Sequence, residues 1–196
     1  MLDIFFRLFS LLPFYLLGAF PSGKIVAKLR GIEITEHGSG NVGATNVSRV
    51  LGKRSGLTTL LLDVGKGLLA ISIAGWLGLD QETKALVAVA TVAGHCFSVP
   101  GKLPGGKGVA TSLGVLLALS PGTASFSLLV FIVIFWICRI VSVASVGAAL
   151  LAPIIAFLSE TPDVLALAIA TNSILVIYRH KANLTRLVEG REGKFL

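Results

Sequence analysis

Apolar residues in this chain come in long runs, and the polar residues between them are confined to short stretches. With glycine, proline and charge clusters as boundaries, the runs fall roughly at 2–20, 57–79, 85–100, 107–120, 122–138, 140–158 and 164–178. Most come close to the roughly 20 residues a helix needs to cross a hydrocarbon core. The pattern predicts an all-α, polytopic membrane protein with seven transmembrane helices in a single domain, 1–196. The third and fourth runs are short, so tilted, broken or re-entrant segments are expected there. Leu2–Phe20, with Arg7 near its start, has some features of a secretory leader. The apolar pattern continues through the whole chain, however, and this run reads as a first span.

Composition supports the same class. Only 14% of residues are charged while 54% are hydrophobic; a soluble domain carries about a quarter charged. The net charge of +7 does not point to nucleic acid, because the basic residues are spread over short loops between apolar runs. They order the topology instead. With the N-terminus outside and the C-terminus cytoplasmic, one face receives Lys24, Lys28, Arg30, Arg49, Lys53, Arg54, Lys102, Lys107, Arg139, Arg179, Lys181, Arg186, Arg191 and Lys194. These are 14 of the 17 Lys and Arg residues, as the positive-inside rule requires of a cytoplasmic face. Cys96 and Cys138 fall in or beside apolar runs and read as small buried hydrophobes.

The chemistry is concentrated on that basic face. Gly38-Ser39-Gly40-Asn41-Val42-Gly43-Ala44-Thr45-Asn46, closed by Arg49, packs glycines, amides, hydroxyls and a guanidinium into twelve positions. Glycine lets a backbone approach a ligand closely and present N–H groups to an anion, and an arginine fork suits phosphate. The Gly38-x-Gly40-x-x-Gly43 spacing matches a dinucleotide fingerprint but lacks the βαβ context that motif needs. Gly105-Gly106-Lys107-Gly108 is a second phosphate-style loop. Together with Gly101 it approaches a P-loop, but Gly108 stands where the Mg²⁺-binding hydroxyl belongs, so nucleotide hydrolysis is not expected. A helix beginning near Val109 would turn its positive end toward an anion there.

Three further features stand out. Asp63 and Lys66 share a helix face inside an apolar run, and read either as a structural ion pair or as part of a site. His95 reads either as lining the site or as a hydrogen bond between helices. After the last run, Arg179-His180-x-x-Asn183-x-x-Arg186 would place Arg179, Asn183 and Arg186 on one face of a continuing helix. A bare stop signal would account for the cations but not for His180 and Asn183. Several signatures are missing: a Gly-x-Ser-x-Gly nucleophile elbow, a His-x-x-x-x-Asp pair, an Asp-x-x-Asp-Gly motif, and any zinc-type cluster of His with carboxylates. These absences argue against a serine hydrolase, a thioester-using glycerolipid acyltransferase and a metal-dependent alcohol phosphotransferase.

In order, the motifs are Gly-Ser-Gly-Asn-x-Gly-Ala-Thr-Asn-x-x-Arg, Asp-x-x-Lys-Gly, Gly-His, Gly-Gly-Lys-Gly-Val-Ala-Thr and Arg-His-x-x-Asn-x-x-Arg. This series resembles that of the bacterial acyl-phosphate:glycerol-3-phosphate acyltransferases over essentially the whole chain. The resemblance implies a seven-helix enzyme of the bacterial inner membrane that acylates position 1 of glycerol 3-phosphate from a fatty acyl phosphate. The products would be lysophosphatidic acid and inorganic phosphate. It implies catalytic roles for Ser39, Arg49, Lys107, His180 and Asn183. Substrate contacts would come from Gly38, Gly40, Asn41, Gly43, Thr45, Asn46, Gly105, Gly106, Gly108, Thr111, Arg179 and Arg186, with Asp63, Lys66, His95 and Arg139 as further candidates. A mixed anhydride is already activated, so no metal or cofactor is called for, and positioning dominates. The proton acceptor is open among His180, Asp63 and a phosphate oxygen of the donor. Expected partners are the two phosphorylated substrates and the bilayer, with a cytoplasmic donor-making acyltransferase as a further candidate. A phosphate or organic-anion transporter is the alternative; it would need essential polar residues from both faces.

Overall fold

A computed structural model of the protein describes residues 9–98 and 105–195. The expected start of the first run, including Arg7, and the 99–104 stretch, including Gly101 and Lys102, lie outside the described residues. Within them the regular elements are all helical: α1 (Leu12–Ala19), α2 (Ser22–Lys28), a 3₁₀ turn at Ile34–Glu36, α3 (Ala44–Trp76), α4 (Gln81–Phe97), α5 (Val109–Leu119), α6 (Pro121–Cys138), α7 (Val141–Leu158), α8 (Asp163–Arg179) and α9 (Lys181–Val188).

Each expected apolar run corresponds to a helix, with shifted ends. The run expected at 85–100 begins earlier, because Asp80 caps α4 by accepting from the Thr83 N–H at 2.7 Å. Among the described residues, α3, α6 and α7 are long and apolar enough to cross a membrane, and α5 is a shorter apolar helix. Along α6, Leu128, Leu129, Ile132, Val133, Trp136 and Ile137 are all exposed. Such a surface suits lipid, not water.

Glycines let the helices touch backbone to backbone. A Cβ on Gly114 would lie 2.0 Å from the Val64 carbonyl, and one on Gly67 would lie 2.2 Å from that of Thr111, so α3 and α5 meet through both. Gly18 and Gly94 do the same for α1 and α4, with carbonyls of Thr91 and Tyr15 at 1.9 and 2.0 Å. Small residues at such crossings are how membrane helices pack, since lipid offers no hydrophobic drive between them. The core between α1, α3, α4 and α8 is correspondingly fine-grained, with Ala74, Ala85, Ala88, Val92 and Ala168 buried.

Between the first two apolar runs the chain is largely ordered. α2 and the 3₁₀ turn follow α1, and the expected Gly38–Arg49 loop becomes helical from Ala44. That segment ends at Gly52, whose φ of 83° and ψ of 167° break α3 in two. The break folds Ala44–Leu51 back so that Ser48 packs on Gly56. Only glycine adopts this backbone without strain.

Gly114→Leu forces α5 away from α3 and is expected to cost roughly 1–3 kcal/mol or more. Melting in detergent checks this against Gly75→Ala, which enters open space on α3 and should match or slightly exceed the unsubstituted protein.

Candidate active site

A cavity of about 1060 Å³ opens where the first glycine loop, α3, α5, α7, α8 and the C-terminal segment converge. That is at the upper end for small-molecule sites. One end is polar, lined by Ser39, Asn41, Arg49, Lys53, Lys107, His180, Asn183, Arg186 and Glu192. The other runs between helices past Leu57, Leu116, Leu128, Phe131, Ala152 and Ile169.

Asn46 builds the first loop. Its side chain is buried; Oδ1 accepts from Ser39 N–H at 2.8 Å, and Nδ2 donates to the carbonyls of Asn41 and His37 at 2.9 and 3.0 Å. Asn41 Oδ1 in turn accepts from Gly43 N–H at 2.8 Å. Gly38 and Gly40 have φ of 61° and 70°. A Cβ on Gly38 would sit 2.3 Å from Asn46 Oδ1. The loop leads into α3 at Gly43; Asn41 takes the Gly43 N–H and the Gly43 carbonyl takes that of Asn46, which leaves the N–H groups of Ala44 and Thr45 at the cavity wall. α5 repeats the arrangement. Gly108, at φ 83°, begins it without a side-chain cap, and Lys107, Gly108, Val109 and Ala110 line the same cavity.

α8 does not continue into the tail. It stops at His180, and α9 starts anew, so the expected common face for Arg179, Asn183 and Arg186 does not form. His180 bonds back to the Val176 carbonyl through Nδ1 at 2.7 Å. A carbonyl can only accept, so Nδ1 carries the proton and Nε2 of the neutral ring is an acceptor. Burial, reinforced by the nearby Lys107 charge, pulls His180 down to about 4. Arg179 turns the other way and donates to the carbonyls of Gly105 and Gly106.

Glu192 is the participant the sequence reading missed. Its carboxylate accepts from Ser142 Oγ at 2.7 Å, Asn183 Nδ2 at 2.5 Å and Arg186 Nε at 2.8 Å. Burial pushes this carboxyl up, but those hydrogen bonds and the Arg186 charge outweigh it, leaving it below the ordinary value. The segment continues to Phe195, whose N–H donates to the Arg139 carbonyl at 2.7 Å. The only signal in the sequence was a lone acid within Arg191-Glu192-Gly193-Lys194.

The expected residues therefore divide. Gly38, Ser39, Asn41, Gly43, Thr45, Asn46, Arg49, Asp63, His95, Lys107, Gly108, His180, Asn183 and Arg186 line the cavity. Gly40, Lys66, Gly105, Gly106, Thr111, Arg139 and Arg179 are not in its lining. Thr111 sits in the α3–α5 contact, and Arg139 is exposed at the end of α6 with φ 58°. Asp63 and Lys66 pair at 2.9 Å, His95 Nδ1 lies 3.6 Å from the same carboxylate oxygen, and Lys66 also donates to the Phe20 carbonyl at 3.0 Å. Among the described residues no cluster of three or more His, Cys, Asp or Glu could hold a metal ion.

Comparison with known proteins places this site in context. A family model described as glycerol-3-phosphate acyltransferase matches residues 8–190. The glycerol-3-phosphate acyltransferase of Aquifex aeolicus is 44% identical over 190 residues, 96% of this chain and 98% of that protein. That of Trichlorobacter lovleyi is 42% identical over 188 residues, covering 96% and 97%. Among solved structures, PlsY (YgiH), an integral membrane glycerol 3-phosphate acyltransferase in its glycerol 3-phosphate form, superposes with a TM-score of 0.90. It is 41% identical and covers 97% of this chain and 96% of that one. Its lysophosphatidic acid form gives a TM-score of 0.88.

Asn46→Ala removes the hub of the first loop and leaves buried carbonyls unpaired. A loss of roughly 1–3 kcal/mol is expected, read as a lower melting temperature in detergent. Asn46→Asp should not rescue it, because a carboxylate cannot donate to the Asn41 and His37 carbonyls.

Proposed function

The chain belongs to the glycerol-3-phosphate acyltransferase family, and from that premise we propose that its donor is a fatty acyl phosphate. The protein is a membrane enzyme that acylates glycerol 3-phosphate to lysophosphatidic acid. The acyl phosphate reading rests on one observation: two uncapped helix starts, at Gly43–Ala44 and Gly108–Val109, line a single cavity. Each is an anion site, and a reaction between two phosphate-bearing substrates needs two. Arg49, Lys53, Lys107 and Arg186 add cationic donors around them.

The polar end sorts by hydrogen-bond sense. Ser39, Arg49, Lys107 and the free N–H groups donate and suit phosphate oxygens. His180 Nε2 and Asn183 Oδ1 accept, since His180 Nδ1 and Asn183 Nδ2 are already committed. These two acceptors suit the hydroxyls of glycerol. With the 1-hydroxyl held against them, its oxygen attacks the acyl carbonyl, the C–O bond to phosphate breaks, and inorganic phosphate leaves. Donors around Ser39 and Arg49 stabilise charge on the carbonyl oxygen. Burial disfavours a charged His180, and Asp63 is paired with Lys66. The proton therefore passes to an oxygen of the departing phosphate. The apolar end of the cavity takes the acyl chain. Seven crossings, with the N-terminus outside and the site on the cytoplasmic side of the inner membrane, follow from the basic loops.

Purified protein in lipid mesophase with glycerol 3-phosphate should release phosphate and form lysophosphatidic acid from palmitoyl phosphate. Product from palmitoyl-CoA instead would remove the donor assignment. Arg49→Ala and Lys107→Ala should each lose about a hundredfold or more in turnover while remaining folded; Lys84→Ala, in the first turn of α4, should be silent.

Burial, partly offset by Glu192, lowers Lys107 to about 8. Its ammonium is thus present below about pH 8 and lost above it, well before an ordinary lysine would titrate. The pH profile of kcat/KM should fall above about 8. In Lys107→Arg, whose guanidinium keeps its charge, that limb should move beyond the measurable range.

A further inference from the structure

Three backbone groups of the Gly105–Gly108 turn are engaged by other parts of the protein. The Gly106 N–H donates to the His95 carbonyl at 2.9 Å. The carbonyls of Gly105 and Gly106 accept from Arg179, through Nη2 at 2.9 Å and Nε at 3.0 Å. The planar guanidinium spans two successive carbonyls with parallel N–H bonds, which an ammonium cannot do. It also lies 5.9 Å from the centre of the Phe97 ring, at the end of α4. Gly106 is flush against α4, since a Cβ there would sit 2.1 Å from His95 Nε2.

The direction of one peptide follows. C=O and N–H of a trans peptide point oppositely. With the Gly106 carbonyl on Arg179, the Lys107 N–H of the same unit points away from it, and Lys107 lines the cavity. Gly106, on one side of this peptide, puts little steric barrier against the rotation that would flip it. The flip would aim a carbonyl lone pair at a bound anion.

We propose that Arg179 is the positioning residue of this turn: by holding the Gly105 and Gly106 carbonyls it aims the Lys107 N–H and the start of α5 at a substrate phosphate that it does not itself touch. This assigns Arg179 a role other than the direct substrate contact expected from sequence, and it rests on the reading that the turn holds a phosphate. The phosphate belongs either to glycerol 3-phosphate or to the acyl phosphate, and kinetics separates the two.

Arg179→Lys keeps the charge and loses the fork. It should raise one KM by roughly ten- to a hundredfold, as Arg179→Ala does, with kcat within about threefold. A rise confined to glycerol 3-phosphate assigns the turn to the acceptor; a rise confined to palmitoyl phosphate, with weaker inhibition by inorganic phosphate, assigns it to the donor. Near-normal KM values in Arg179→Lys alongside a large loss in Arg179→Ala would overturn the proposal in favour of a direct charge contact. A fall in kcat alone would overturn it as well. Hydrogen exchange on the unsubstituted protein tests the turn without any variant: glycerol 3-phosphate or inorganic phosphate should protect the amides of Lys107–Ala110. Absence of protection removes the phosphate-turn reading and the proposal together. Protection combined with unaffected Arg179→Lys kinetics removes the proposal alone.

Discussion

The contact on which this structure depends is the backbone-to-backbone meeting of α3 and α5 at Gly67 and Gly114. It holds the start of α5 against the side of α3, so both uncapped helix starts open onto one space. Helix starts carry unsatisfied N–H groups and partial positive charge, which in a dry interior would be a liability. At the polar end of the cavity they face open space instead. Larger side chains at this crossing would separate the two starts, and no charged side chain could restore their alignment.

The second constraint is the disposal of polar groups near lipid. Every such group must find a partner inside the protein or face a ligand. The chain meets this locally. Asn46 absorbs the carbonyls of its own loop, Lys66 takes the last carbonyl after α1, and Arg179 takes those of the glycine turn. The groups left facing the cavity include donors of Arg49 and Lys107 and acceptors of His180 and Asn183. Side chains committed to backbone carbonyls thus determine which polar faces stay open to the cavity. Glu192 acts on a side chain in the same way, since by occupying Asn183 Nδ2 it leaves the amide oxygen for a hydroxyl.

Much of this was legible in the chain. The all-helical membrane class followed from apolar runs long enough to demand internally satisfied backbone, and the family followed from five motifs in one order. Both glycine loops stood out because few other residues allow so close a backbone approach to a neighbour. The helical turn from Ala44 to Leu51 was not, because its polar residues resemble a loop until Gly52 is seen to fold them back on α3.

What the sequence determined by itself was the inventory: apolar lengths that form helices, glycines that permit contact, and cations gathered in the stretches between apolar runs. Those are properties of residue type and spacing, which survive any arrangement of the chain. The tertiary structure alone decided direction. Arg179, Asn183 and Arg186 share a spacing that predicts a common face, yet a break at His180 sends the first to the glycine turn and the others to the cavity. Glu192, an ordinary acid in a basic tail, becomes central because the chain folds back beside α7 and α9. Hydrogen bonds are directional and join residues far apart in sequence, so spacing cannot reveal which way a donor points.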